Sequence, residues 1–247
     1  MLAEQRMDAI LAELSKQQAV SVAHLCQVIG ASEATIRRDL TELARRGKLN
    51  KVHGGALPIR EEFRGEELDM EVKRQLHTPE KVRIAQYAAG LIDNSDVVFL
   101  DSGSTIMHMV EYIQAPKATF ITNSIECAQR LPRRGLRTYL LGGLLKPGTL
   151  SVVGAEAPEL LKRYNFTKAF LGANGIALTQ GFTTPDPEEA VLKARAATQA
   201  QRVYVLADSS KFGTVTAAVM FPLQSACIIT DRLEDRRYLE HTEIKEV

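Results

Sequence analysis

Three cysteines, no tryptophan and no long uninterrupted apolar run occur in the 247 residues. The lack of tryptophan excludes nothing. Cys26, Cys127 and Cys227 stand far apart, without a CxxC or a Cys/His pair at zinc spacing, so the reading is buried free thiols, with no disulfide framework and no metal. No uninterrupted apolar run approaches the roughly 20 residues of a membrane span. The start Met1-Leu2-Ala3-Glu4-Gln5-Arg6-Met7-Asp8 also lacks the apolar block of a signal peptide, so a cytoplasmic protein with no membrane partner is expected. Internal repeats and low-complexity tracts are absent, and nothing calls for a cofactor. What remains is ordinary globular usage, 45% hydrophobic and 25% charged, long enough for one large domain or two unequal ones, with two the working expectation.

Charge says more when split along the chain than when summed to its net +1. Residues 1–60 carry nine Lys/Arg against six Asp/Glu, and within 32–60 the count is seven against three. A short basic segment in a near-neutral protein fits a nucleic-acid-binding module, although a solvated helix face would look the same by charge alone.

Periodicity gives that segment its shape. Met7, Ile10, Leu11 and Leu14 form one face of a first helix. Ser21 can cap a second helix with apolar Val22, Leu25, Cys26 and Ile29, stopped by Gly30, and Ser32 can cap a third with Ile36, Leu40 and Leu43, running to Gly47. The Gly30-Ala31 gap is a helix-turn-helix connection. With that apolar stripe inward, Ala34, Arg38, Thr41 and Arg45 point outward, flanked by Thr35, Arg37 and Glu42. Small residues at the helix start allow close approach to a major groove, and arginines can fork onto guanine or phosphate. Lys48 to Leu57 then reads as two extended stretches around a Gly-Gly turn, a hairpin wing that lays Lys48, Lys51 and His53 along a sugar-phosphate backbone.

The runs Thr35-Ile36-Arg37-Arg38-Asp39-Leu40 and Val52-His53-Gly54-Gly55-Ala56 closely resemble the winged helix-turn-helix of the DeoR family of bacterial transcriptional regulators. One departure is Lys51, where the family usually has arginine: the charge stays but the planar fork is lost. The resemblance implies contacts to double-stranded operator DNA from Ser32, Ala34, Thr35, Arg37, Arg38, Thr41, Arg45, Lys48, Lys51, His53 and Gly54.

The expected organisation is a DNA-binding domain at 1–57, a charged linker at 58–78 and a larger α/β domain at 79–247. The linker is rich in mixed charge (Arg60, Glu61, Glu62, Arg64, Glu66, Glu67, Asp69, Glu71, Lys73, Arg74) and reads as partly helical, ending where Thr78 caps a new helix with Pro79 in its first turn. Beyond it, candidate strands Val97–Leu100, Thr119–Thr122, Thr138–Leu141, Ala169–Leu171, Val203–Ala207 and Cys227–Thr230 alternate with helices near 80–92, 104–113, 124–131, 154–163 and 186–200, the pattern of a mostly parallel sheet. Ligands of such sheets collect at the carboxyl ends of strands. Those ends are polar here: Asp101-Ser102-Gly103-Ser104-Thr105 opens a helix like an anion nest, Thr122-Asn123 precedes another, and Gly142-Gly143 follows the third strand. Asn174, Glu189, Lys193, Asp208 and Lys211 come later. Glu189 and Lys193 are four apart, which could equally be a surface ion pair.

In order, these segments resemble the DeoR-type sensor domain, similar in fold to ribose-5-phosphate isomerase, glucosamine-6-phosphate deaminase and CoA transferases. That resemblance implies a phosphorylated sugar or polyol effector, with Asp101 and Asn123 holding hydroxyls, Ser102–Thr105 holding phosphate and Lys211 adding counter-charge. Ser104 replaces the threonine of many relatives and keeps the hydroxyl. The expected function is a homodimeric or homotetrameric repressor of a carbohydrate-utilisation operon, because one recognition helix reads only a few base pairs. The alternative is a sugar-phosphate isomerase or deaminase with Asp101, Glu189 or Asp208 as base. Gly142 to Pro147 has the wrong spacing for a Walker loop, and His108 and Cys127, inside apolar helical stretches, read as core.

Overall fold

The computed structural model describes residues 2–17, 19–58, 62–65 and 69–247. The chain forms two compact units, one of residues 1–60 with Asp235–Tyr238 and one of 61–234 with 239–247.

The first unit runs α1 (Ala3–Lys16), β1 (Val20–Ser21), α2 (Val22–Ile29), α3 (Glu33–Arg45), β2 (Asn50–Val52) and β3 (Gly55–Leu57). Its core is the expected stripes: Met7, Ile10 and Leu14 meet Val22 and Leu25 and the Ile36, Leu40, Leu43 face, joined by Leu49 and Ala56. Both serine caps form, with Ser21 Oγ accepting the His24 N–H at 3.1 Å and Ser32 Oγ that of Thr35 at 3.3 Å. Gly30 closes α2 in the left-handed region, φ 71°. Two features correct the sequence reading of the wing. Val52 pairs with Gly55, so the turn is His53-Gly54, and Gly55 lies inside β3. There a Cβ would sit 2.1 Å from the Val20 carbonyl oxygen, because β1 adds a third strand to the hairpin.

The second unit continues with β4 (Glu62–Phe63), α4 (Met70–Gln75), α5 (Thr78–Ala89), β5 (Val97–Leu100), α6 (Ser104–Val110), β6 (Thr119–Thr122), α7 (Ile125–Arg133), β7 (Arg137–Leu140), β8 (Leu144–Lys146) and β9 (Ser151–Val153). Then come α8 (Glu156–Leu161), β10 (Phe166–Gly172), β11 (Gly175–Ala177), β12 (Gly181–Thr184), α9 (Pro187–Thr198), β13 (Ala200–Leu206), β14 (Thr214–Val215), β15 (Ala218–Phe221), β16 (Cys227–Thr230) and β17 (Ile244–Glu246). A seven-stranded parallel sheet in the order β17-β16-β13-β10-β5-β6-β7 is the frame. Its inner strands read as unbroken apolar runs because both faces are covered. Phe99, Phe120, Phe166 and Phe170 are fully buried, each contributing about 1.5–3 kcal/mol relative to exposure. Helix α5 lays Ile84, Ala85, Ala88 and Ala89 on this core.

The six candidate strands are present, the third one residue earlier and the fourth and fifth longer than read. The helix expected over 104–113 ends at Val110, where Glu111 and Tyr112 bond back three residues instead of four. Thr78 is not a cap: His77, at φ 54°, precedes the helix, and the Thr78 hydroxyl donates to the Arg74 carbonyl at 2.9 Å. The stretch read as a linker is tied into the second unit, since β4 pairs in parallel with β14 and Met70 is buried. Arg60, Glu61, Glu66 and Glu67 lie outside the described residues. Periodicity gave no sign of the β8–β9 hairpin or of the small sheet β11-β12-β15, whose strands of three or four residues are too short to show it.

Candidate functional site

On the first unit, Ala34, Arg37, Arg38, Thr41 and Arg45 are exposed along α3, with Thr35 and Glu42 half-buried beside them. Their side chains are not equivalent. Arg37 pairs with Glu33 at 2.6 Å, and Arg45 with Glu42 at 2.6 Å, while Glu42 also takes Arg46 and is held down to about 2 by hydrogen bonds from these two arginines. Thr41 donates to the Arg37 carbonyl and accepts from Lys51 at 2.7 Å, which ties the wing to the helix. Ser32 is spent on its cap and on Thr35 Oγ1. Arg38 makes no hydrogen bond or ion pair with another described residue, so its fork is open to solvent. On the wing, Lys51, His53 and Gly54 are exposed, Lys48 is half-buried, and Gly54 turns at φ 83°.

Sequence reasoning missed Asp39, which is 5% exposed and takes the Arg6 guanidinium through two bonds of 2.7 and 3.1 Å. A carboxylate three residues after Ile36 and four before Leu43, on the buried stripe, was the available signal.

In the second unit the chain walks β5, β6, β7 in one direction and then returns to place β10 on the other side of β5. A ligand crevice is expected at such a reversal, outside the carboxyl ends of the two diverging strands. A cavity of about 490 Å³ lies there, within the range of small-molecule sites. Its wall includes Ser102, Gly103, Ser104 and Thr105 from the end of β5, Gly172 and Asn174 after β10, Asp208 and Lys211 after β13, and Glu189 and Lys193 on α9.

Glu189 and Lys193 are not each other's partners. Lys193 ion-pairs with Asp101 and donates to the Gly172 carbonyl at 3.2 Å, and Asp101 also accepts the Gly172 N–H at 2.9 Å. Asp101, fully buried, is thus behind the cavity wall as the anchor of Lys193. Glu189 meets Lys146 at 3.2 Å, and Asp208 accepts from the Ser210 N–H at 3.1 Å.

Five expected residues, Asp101 among them, are not on the wall formed by the described residues. Thr122 spends its hydroxyl on the Leu100 carbonyl at 2.7 Å and the Ser124 N–H at 3.0 Å. Asn123 donates to Val152 and so positions the β8–β9 hairpin. Gly142 and Gly143 are exposed at the start of that hairpin, where a Cβ on Gly143 would meet the Val153 carbonyl at 2.5 Å. Thr122 and Gly142-Gly143 on the β6–β7 side are thus engaged in packing and Asn123 keeps a buried Oδ1 without a partner among the described residues, while the strand ends flanking the reversal face the cavity.

The wall also carries cations that motif reading did not find: Arg64, Lys73 and Lys81. Lys81 is 4% exposed and donates to the Lys73 carbonyl. Burial pushes its ammonium pKa below the usual lysine range, Asp208 opposes that shift, and Lys211 and Lys73 add to it. Lys211 is lowered in the same way, by burial first, with Asp208 opposing and Lys73 and Arg64 reinforcing. The signal for Lys81 was present: it sits on the α5 stripe with Ile84, Ala85 and Ala88, a lysine at an inward position. Such desolvated, mutually repelling ammonium groups gain from an incoming anion.

His108 is half-buried and burial lowers its pKa, and Cys127 is fully buried with its thiol pushed up to about 12 by desolvation. Neither lines the cavity. Cys127 and Cys227 are buried free thiols, while Cys26 is only half-buried, a correction to the expectation of three buried ones. Among the described residues no helix is long and apolar enough to cross a membrane.

A winged helix-turn-helix followed by an α/β unit with a cationic cavity defines a two-part DNA-binding protein. The sequence matches the model of the DeoR-like helix-turn-helix domain over residues 6–62 and that of the DeoR C terminal sensor domain over 76–232. The chain belongs to the DeoR family of transcriptional regulators. It is 39% identical, over its whole length and 99% of the relative's, to the uncharacterized HTH-type transcriptional regulator FruR of Bacillus subtilis (strain 168). It is 32% identical, over 98% of both chains, to the lactose phosphotransferase system repressor of Streptococcus mutans serotype c. Among solved structures, ribose 5-phosphate isomerase A of Methanocaldococcus jannaschii covers 53% of either chain at 18% identity and a TM-score of 0.40.

Proposed function

We propose that this protein is a repressor of a carbohydrate-utilisation operon whose affinity for its operator is set by a phosphorylated sugar or polyol. The observation that carries the reading is the cavity at the sheet reversal, walled by the Ser102–Thr105 hydroxyls and the desolvated Lys81 and Lys211, in a chain that also exposes an arginine-bearing helix. In this reading the phosphate is held by the hydroxyl loop and the lysines. The fork of Arg38 reads a base edge, and Arg37, Arg45, Lys48 and Lys51 serve the DNA backbone. Arg37 and Arg45 exchange their present glutamate partners for phosphates, which costs little at exposed positions. Ala34, Thr35, His53 and Gly54 permit close approach. Two copies reading half-sites about 34 Å apart supply specificity, and a coupling of about 1–3 kcal/mol between effector and operator changes affinity some 5–150-fold.

The test is a gel-shift titration on the protein's own promoter region with a panel of sugar phosphates. Wild type binds, and one panel member releases it. Ser104→Glu, which puts a carboxylate where phosphate would sit, still binds DNA but no longer responds. A Ser104→Glu protein released like wild type removes the phosphate from that loop. Turnover of the same sugar phosphates by the purified protein would instead favour the isomerase or deaminase reading.

A further inference from the structure

The cavity has a second chemical character beside its lysines. Glu189 is 4% exposed, and its carboxylate is thinly satisfied: Lys146 lies at 3.2 Å and the hydroxyls of Thr149 and Thr184 at 3.5 Å each, whereas hydroxyl donors ordinarily approach to about 2.5–3.0 Å. Lys146 is shared with Asp186 at 2.6 Å, so these three side chains sum to one negative charge. A carboxylate accepts and does not donate. Whatever completes Glu189 must therefore bring a proton, as a carbohydrate hydroxyl does and a phosphate dianion does not.

Thr216 adds a second unsatisfied group on the same wall. It is 4% exposed on the same cavity wall, and its N–H donates to Thr183 Oγ1 at 3.0 Å. Its own hydroxyl has no partner among the described residues. The surrounding backbone is tightly packed, since a Cβ on Gly175 would meet the Thr214 carbonyl at 2.4 Å and Thr183 Oγ1 at 2.6 Å. A buried, rigidly seated hydroxyl left unpaired beside a cavity is a group awaiting a ligand atom.

We propose that Glu189, steadied by Lys146 and Thr184, and Thr216 form a hydroxyl-reading wall, so that the cavity takes a polyhydroxylated compound bearing a single phosphate and rejects a second phosphate there. This rests on the reading that the effector is a phosphorylated sugar or polyol, and it adds which class of them fits.

Isothermal titration calorimetry on the full chain decides it, with inorganic phosphate and with glucose, fructose and ribose monophosphates beside the bisphosphates of the same sugars. At least one monophosphate binds about tenfold or more tightly than its own bisphosphate. Glu189→Gln, which keeps the shape and removes the charge, narrows that ratio by about threefold or more. Thr216→Val weakens the monophosphate about fivefold more than it weakens inorganic phosphate. A bisphosphate that binds wild type as tightly as its monophosphate overturns this inference alone, as does a pattern that neither variant moves. Failure of every sugar phosphate to bind overturns the effector reading on which it stands.

Discussion

Replacing Asp101 by asparagine separates a positioning role from direct contact with a ligand. Asp101 is fully buried and the Lys193 side chain is 5% exposed, so the ion pair between them is shielded from water. Removing one partner of a buried pair costs about 3–5 kcal/mol because the other charge is left uncompensated. Lys193 keeps the Gly172 carbonyl at 3.2 Å, which places the expectation at the lower end, about 3 kcal/mol. For a domain of this size that is roughly 6–12 °C in melting temperature, at about 2–4 °C per kcal/mol. Differential scanning calorimetry of the unliganded full chain reads the loss, and Asp101→Asn/Lys193→Met should recover at least half of it, because the double variant has no orphaned ammonium. An unmoved transition in Asp101→Asn, or losses that simply add in the double variant, would show that Asp101 does not anchor Lys193 and return it to the ligand-contacting role suggested by its motif.

Arg38→Ala should weaken specific operator binding by about 1–3 kcal/mol in fluorescence anisotropy while sugar-phosphate binding persists; unchanged operator affinity refutes the open fork as a base reader. Gly55→Ala should lower the thermal stability of the first unit by about 1–3 kcal/mol or more, since the added Cβ meets the Val20 carbonyl at 2.1 Å and backbone must shift to admit it. An unchanged melt would mean that β1 does not pack against the wing. Lys81 and Lys211 have pKa values lowered by burial, so between those values and the unfolded value near 10.4 the unfolded chain binds more protons and the unliganded protein gains stability as pH rises. A bound phosphate pulls both pKa values back up, so its affinity should fall as pH rises through the same window, with net proton uptake on binding. Calorimetry in buffers of different ionisation enthalpy measures that uptake, and proton release would contradict the lysine cluster.

The helix-turn-helix was legible because short-range rules decide it: Ser21, Gly30 and Ser32 act within one turn of where they stand, and the Ile36, Leu40, Leu43 stripe has one sensible inward face. The inner strands of the large sheet were legible for a similar reason, being apolar on both faces, whereas the edge strand β17, three residues long and mostly polar, was not read. The cavity was only partly so. Ser102–Thr105 was visible as a loop after a strand, but which polar strand ends share a cavity depends on the order of strands in the sheet. Gly142-Gly143 resembles a ligand loop in one dimension and turns out to seat a hairpin. Lys81 and Asp39 were readable in principle as charges on otherwise buried stripes. Thr216, between two short strands, carried no local signal at all, because its significance lies in a hydroxyl left over once its neighbours have paired.

The β4–β14 pairing has a mechanical consequence. Leu57 ends the last strand of the wing, and Glu62 already belongs to the peptide that, with Arg64, Met70, Lys73 and Leu76, helps enclose the cavity. Four residues lie between them in sequence. The segment that follows the first unit is therefore itself part of the cavity's lining, so any molecule seated there would press on that segment at first hand.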